Sequence, residues 1–159
     1  MGIVIELQRE ALDENISIES LMRKAYLVAK KLGLKEFEKW INQEQNGYDE
    51  QIPEYRNIVG EIKAWNPYHG WIPMVVSANV ADFISKAPFS TSISALQDLY
   101  NSSKGTIMIS VPGKLTEIFN QSSDNPPTKF AFFASKSELY RIMSTVRNKI
   151  LDWAILLEE

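Results

Sequence analysis

The chain has 159 residues, enough for one continuous hydrophobic core and short for two, and its 45% apolar and 23% charged residues are the balance of a globular protein. Seventeen basic residues against twenty acidic ones give a formal net charge of -3, which supplies no overall field to draw in a phosphate backbone. The absence of cysteine excludes disulfides and thiolate metal sites and fits a reducing cytoplasm, while residues 1–6 lack the basic start and apolar run expected of a signal peptide and no stretch approaches the ~18 apolar residues of a membrane span.

Val4, Leu7 and Ala11 recur at helical spacing and predict a short first helix that breaks around residues 13–15. Ser17 is placed to cap a second helix, whose Ile18, Leu21, Met22, Ala25, Val28, Ala29 and Leu32 make one broad apolar stripe ending at Gly33. A third helix carries Phe37, Trp40 and Ile41 on one face and ends at Asn46-Gly47, where a left-handed residue costs little. From Arg56 the period changes to two. Ile58, Gly60, Ile62 and Ala64 alternate with Val59, Glu61, Lys63 and Trp65 as a half-buried strand should.

Residues 65–71, Trp-Asn-Pro-Tyr-His-Gly-Trp, read as a turn-rich loop leading into Ile72–Val76, where Pro73 demands an edge strand. Short helices are expected from Asn79 and from Ser90 or Thr91. Ile107, Ile109 and Val111 alternate in a further strand closed by Pro112-Gly113, followed by a brief helix with Leu115, Ile118 and Phe119 and a polar loop, residues 122–127, read as the most mobile segment. Phe130, Phe132 and Ala134 mark the last strand. Ser135 to Glu138 has the form of a capping box that opens a final helix with Leu139, Ile142, Met143, Val146, Ile150, Trp153 and Leu157 at helical spacing. This order predicts an α+β fold in one domain over 1–159: N-terminal helices, a small and mostly antiparallel sheet covered on one face, and a long C-terminal helix.

Catalytic chemistry is sparse. His69 is the only histidine, so a catalytic triad or a two-histidine metal site has at most one anchor, set in a Pro and Gly turn where a hydrogen-bonding role is the plainer one. Glu61 and Lys63 on a strand match the second half of a metal-dependent nuclease pattern, but its first acid would have to be Asp49, Glu50 or Glu54, outside the strand. Arg23, Lys24, Lys30, Lys31 and Lys35 gather on and after the second helix with Glu36, Glu38 and Glu44 close behind, which reads as a solvated face. Arg147 and Asp152 are five apart, so each is expected to pair with other segments. The aromatic density from Trp65 to Trp71 has two readings: a rigid corner with the indoles folded inward and Pro67 and Gly70 setting the turn, or a contact hot spot.

Asn46-Gly47-Tyr48, residues 53–56 (Pro-Glu-Tyr-Arg), residues 65–73 (Trp-Asn-Pro-Tyr-His-Gly-Trp-Ile-Pro) and residues 146–154 (Val-Arg-Asn-Lys-Ile-Leu-Asp-Trp-Ala) together resemble the AbiTii family. Residues 7–12 and 21–25 resemble its opening helices, whereas residues 77–123 carry less of the pattern. The resemblance implies a bacterial abortive-infection, antiphage context and a domain that stands at the N-terminus of a longer protein; it brings no catalytic residues.

The resulting expectation is a cytoplasmic, non-catalytic recognition or assembly module with no cofactor and no metal ligand. Its candidate binding residues are Trp65, Asn66, Tyr68, His69 and Trp71. A protein partner or a second copy is expected there in preference to nucleic acid or a membrane, and self-assembly through an exposed stripe on the last helix is a third reading. The alternative is a toxic metal-dependent nuclease using Glu61 and Lys63.

Overall fold

The computed structural model describes residues 2–74, 77–122 and 126–158. The chain runs α1 (Gly2–Leu12), α2 (Ile18–Leu32), α3 (Lys35–Asn46), a single 3-10 turn (Glu54–Arg56), β1 (Asn57–Val59), β2 (Glu61–Asn66), β3 (Gly70–Pro73), α4 (Ala78–Ile84), β4 (Lys86–Pro88), α5 (Ile93–Ser102), β5 (Thr106–Ser110), α6 (Gly113–Gln121), β6 (Phe130–Ser135) and α7 (Ser137–Glu158). The expected α+β class and long final helix are both present. The residues cluster into two units, one of residues 1–56, 89–102 and 139–159 and one of residues 57–88 and 103–138.

The first unit is helical, and its sequence signals are local. Ser17 sits in extended geometry and its Oγ accepts from Ser20 N at 3.1 Å, filling one of the orphan donors at the start of α2. Gly33 adopts the left-handed conformation, φ 66° and ψ 35°, and its N–H returns to the carbonyls of the last turn. Between these caps Leu21, Met22, Ala25, Val28 and Ala29 are buried, each large side chain contributing about 1.5–3 kcal/mol of burial. α7 sinks Leu139, Ile142, Val146, Ile150 and Ala154 along one stripe, and Trp153 stacks on Phe37 with ring centroids 4.7 Å apart. Arg147 reaches the carbonyls of Glu10, Asp13 and Ile16, where α1 ends, so it pairs with another segment as its spacing from Asp152 suggested.

The end of α3 differs from expectation. Gly47 has φ 96° and ψ 163°, an extended backbone with positive φ in place of the left-handed turn. That conformation lets Tyr48 N donate to Ser90 O at 2.9 Å, and a Cβ at Gly47 would stand 3.0 Å from the same oxygen.

The second unit holds both sheets. Its four-stranded sheet has the order β3-β2-β6-β5 with every pair antiparallel, and β1 pairs with β4 in a separate two-stranded sheet. The single strand expected from Arg56 onward is therefore two strands. They part at Gly60, whose N–H donates to Ser85 O at 2.8 Å. A Cβ there would overlap the Phe133 carbonyl oxygen and lie 2.9 Å from the Phe132 ring, so only glycine lets the chain pass this close to β6. Pro73 lies in β3, an edge strand, where its missing N–H is tolerated. Val111 falls just outside β5, and half of the loop read as mobile, residues 123–125, lies outside the described residues. At the start of α7 Ser135 Oγ accepts from Ser137 N at 3.2 Å, while Glu138 carries its carboxylate to Val59 N at 2.8 Å and so ties the helix start to β1.

Register assigns the faces of the four-stranded sheet. Ile62, Ala64, Ile72, Ile107, Ile109, Phe130, Phe132 and Ala134 share one face, toward which α6 turns Phe119 against Phe130 at 5.1 Å. The opposite face carries Glu61, Lys63, Trp65, Trp71, Met108, Ala131 and Phe133.

Candidate functional site

The segment read as an aromatic loop is a β-hairpin with a short turn. Trp65 and Trp71 are strand residues in register, and Asn66 faces Gly70, so only Pro67, Tyr68 and His69 form the connection. The loop reading is corrected on that point: strand pairing continues to Asn66 because the asparagine supplies the turn chemistry. Its Oδ1 accepts from Tyr68 N at 2.8 Å and His69 N at 3.1 Å, and its carbonyl accepts from His69 N at 3.3 Å. Gly70 then takes φ 78°, the positive-φ residue that closes a three-residue hairpin turn.

This turn orients the side chains that sequence singled out. Tyr68 is 90% exposed at the tip and His69 beside it is exposed. Trp65 and Trp71 stand on the same sheet face, half-buried, with centroids 5.4 Å apart in an edge contact. Asn66 belongs to the turn, as an organiser of the backbone.

Two further groups complete the surface, and neither is visible from the hairpin alone. Phe133 on β6 meets Trp71 edge-on at 5.3 Å. Lys129, just before β6, holds its ammonium 4.8 Å from the Trp65 ring centroid and 5.6 Å from that of Trp71, and Lys63 lies 5.1 Å over Phe133. Backbone bonds fix this geometry, since Trp65 N donates to Lys129 O at 3.0 Å and Thr128 Oγ1 donates to Trp65 O at 2.6 Å. Alternation within Phe130–Ser135 was legible, but the pairing of β6 with β2 was not, because register between distant strands is not written locally.

Glu61 and Lys63 lie on this face as well, 3.6 Å apart at their charged ends. Asp49, Glu50 and Glu54, the acids that a nuclease pattern would need upstream, belong to the helical unit. Among the described residues no three His, Cys, Asp or Glu side chains gather as a metal site, and no helix is long and apolar enough to cross a membrane.

A second aromatic and charged cluster lies in the helical unit. Glu44, which its acidic neighbours made look solvated, is fully buried beside a fully buried Arg56. Arg56 Nη2 reaches Glu44 Oε1 at 2.5 Å and its Nη1 donates to the carbonyls of Phe89 and Thr91. Tyr48 donates to Glu44 Oε2 at 2.7 Å, Tyr55 donates to the same oxygen, and Trp40 Nε1 donates to Tyr55 at 2.9 Å. Burial and the nearby carboxylate raise both phenols, that of Tyr55 to about 12. The missed signal was spacing: Phe37, Ile41 and Glu44 recur on one helical stripe, which puts the carboxylate inside.

The whole-chain pattern agrees with these landmarks, for the AbiTii family model matches residues 2–159. The chain belongs to the AbiTii family. The name carries an abortive-infection, antiphage role. No curated protein and no solved structure matches this AbiTii chain.

Proposed function

We propose that this AbiTii chain is a non-catalytic recognition module of an abortive-infection system, meeting its partner through the hairpin and sheet face that carry Trp65, Asn66, Tyr68, His69 and Trp71. The observation that carries the reading is Tyr68, a large ring left 90% exposed on a turn whose backbone is pinned by Asn66. A pinned tip presents its ring without the ordering cost that a floppy loop pays on binding. Beside it, half-buried tryptophans offer contact area with few rotatable bonds.

Bacteria expressing the chain and challenged with phage test the reading. A folded variant combining Tyr68→Ala and His69→Ala is expected to lose the effect of the native chain on growth and plating. An unchanged effect overturns the proposal.

The second reading, a metal-dependent nuclease, draws on Glu61 and Lys63 sharing a face at 3.6 Å. It requires saturable magnesium or manganese binding and nucleic-acid cleavage that Glu61→Gln abolishes. Native protein that neither binds these ions nor cleaves removes it.

A further inference from the structure

Charge is distributed unevenly between the two units. The sheet unit carries six basic and five acidic side chains, whereas the helical unit carries eleven and fifteen, so the acidity of the whole chain belongs to the helices. The expectation against nucleic acid rested on the chain-wide average, which conceals this difference.

Within the sheet unit the basic groups meet the rings. Trp65, Trp71 and Phe133 form a row across β2, β3 and β6, and the ammonium groups of Lys63 and Lys129 lie 4.8–5.6 Å from ring centroids along it. Glu61 is the one acid among the strand residues of this face, and it is drawn to Lys63. Beside Phe133 lies an open depression of about 580 Å³ whose lining includes Glu61, Lys63, Thr106 and Ser135.

We propose that this face is a platform for single-stranded nucleic acid, whose bases stack on the row of rings while Lys63 and Lys129 take the phosphates. The proposal rests on the reading of this face as the contact surface and names the partner. Lysine is depleted at the centre of protein–protein interfaces, where its hydrated ammonium is costly to strip. Rings interleaved with cations are the combination that a nucleic-acid strand rewards, because every base has a π-face and every nucleotide a charge. A duplex keeps its π-faces stacked inside and offers these rings nothing, so the occupant is a single strand. Stacking on rings and contacts to phosphates carry no base identity, so binding is expected to tolerate sequence.

The native full chain is titrated with fluorescein-labelled oligouridylate, oligodeoxythymidylate and a matched duplex, read by anisotropy over a salt series. Saturable binding of either single strand, with the duplex at least tenfold weaker, is the expected result. Two phosphate contacts give a logarithmic salt slope of about -1.4, which Lys63→Gln with Lys129→Gln flattens. Trp71→Leu weakens binding by about fivefold or more. Glu61→Gln, which releases Lys63 from its carboxylate partner, raises affinity, the opposite of what a metal site there requires.

Exposed Lys129→Gln keeps the test valid if a ring variant fails to fold. No saturable binding, equal binding of the duplex, or affinity indifferent to Lys129 and Trp71 overturns the proposal. Native protein that ignores every probe, while the Tyr68→Ala and His69→Ala variant still loses its effect on phage, sinks the nucleic acid and spares the recognition module. A tip variant that keeps its cellular effect sinks the module, whatever the probes show.

Discussion

The two aromatic clusters use nearly the same side chains to opposite ends. In the helical unit, Trp40, Tyr48 and Tyr55 surround an arginine and a carboxylate at 0% exposure, and the hydrogen bonds found there run within the cluster or to nearby backbone carbonyls. In the sheet unit, Trp65, Trp71 and Phe133 surround two lysines, one of them exposed, whose ammonium groups lie against ring faces. The planar guanidinium is matched by a bidentate carboxylate and is thereby fixed. A lysine over a ring is held weakly and can be redirected. Closed hydrogen bonding makes the first cluster a structural rivet, whereas the charge of the second is loosely held.

That contrast is sharpest under mutation. Glu44→Ala strands a buried guanidinium and is expected to cost about 3–5 kcal/mol, visible as a large drop in the urea midpoint; a loss below about 1 kcal/mol would break the comparison. High pH attacks the same cluster. The phenol of Tyr55 is raised from 10.0 to about 12 in the folded chain and that of Tyr48 is raised as well. Unfolded chains therefore give up these protons first, and stability present below pH 10 is lost as pH climbs toward 12. Thermal melts across that range should show a fall that Tyr55→Phe reduces.

Smaller effects are expected on the open face. Trp71→Leu, in a half-buried edge position, should cost about 1 kcal/mol of stability while removing recognition, a split measurable by denaturation beside phage plating. Tyr68→Ala should change stability by no more than about 0.5 kcal/mol, since the tip ring is almost wholly in solvent. A loss above about 2 kcal/mol at Tyr68 would make the tip a folding element and void the contrast.

The helices were readable because their signals are near in sequence: Ser17 and Gly33 bracket α2, and Leu139 to Trp153 keep one stripe for most of α7. The alternation of β2 and β6 was equally plain. What stayed hidden depends on distance along the chain. β4 has three residues including Pro88, too few for a period, and exists through its pairing with β1. Gly60 looked like a weak point in one strand because the contact that demands it comes from Phe132 and Phe133. Of the candidate site, the five hairpin residues were singled out by their local aromatic density, and the structure places Asn66 as the residue that shapes the turn. Phe133 and Lys129 were out of reach, since they join Trp65 and Trp71 only through the β2–β6 ladder.

The same ladder sets a schedule for biosynthesis. The β2–β3 hairpin joins neighbours and can pair Trp65 with Trp71 as soon as both have left the ribosome, whereas Glu61 meets Phe133 across 72 positions. Closing so long a loop is slow relative to a hairpin. A nascent chain thus carries half of the aromatic face early and acquires the rest only after β6 has also left the ribosome.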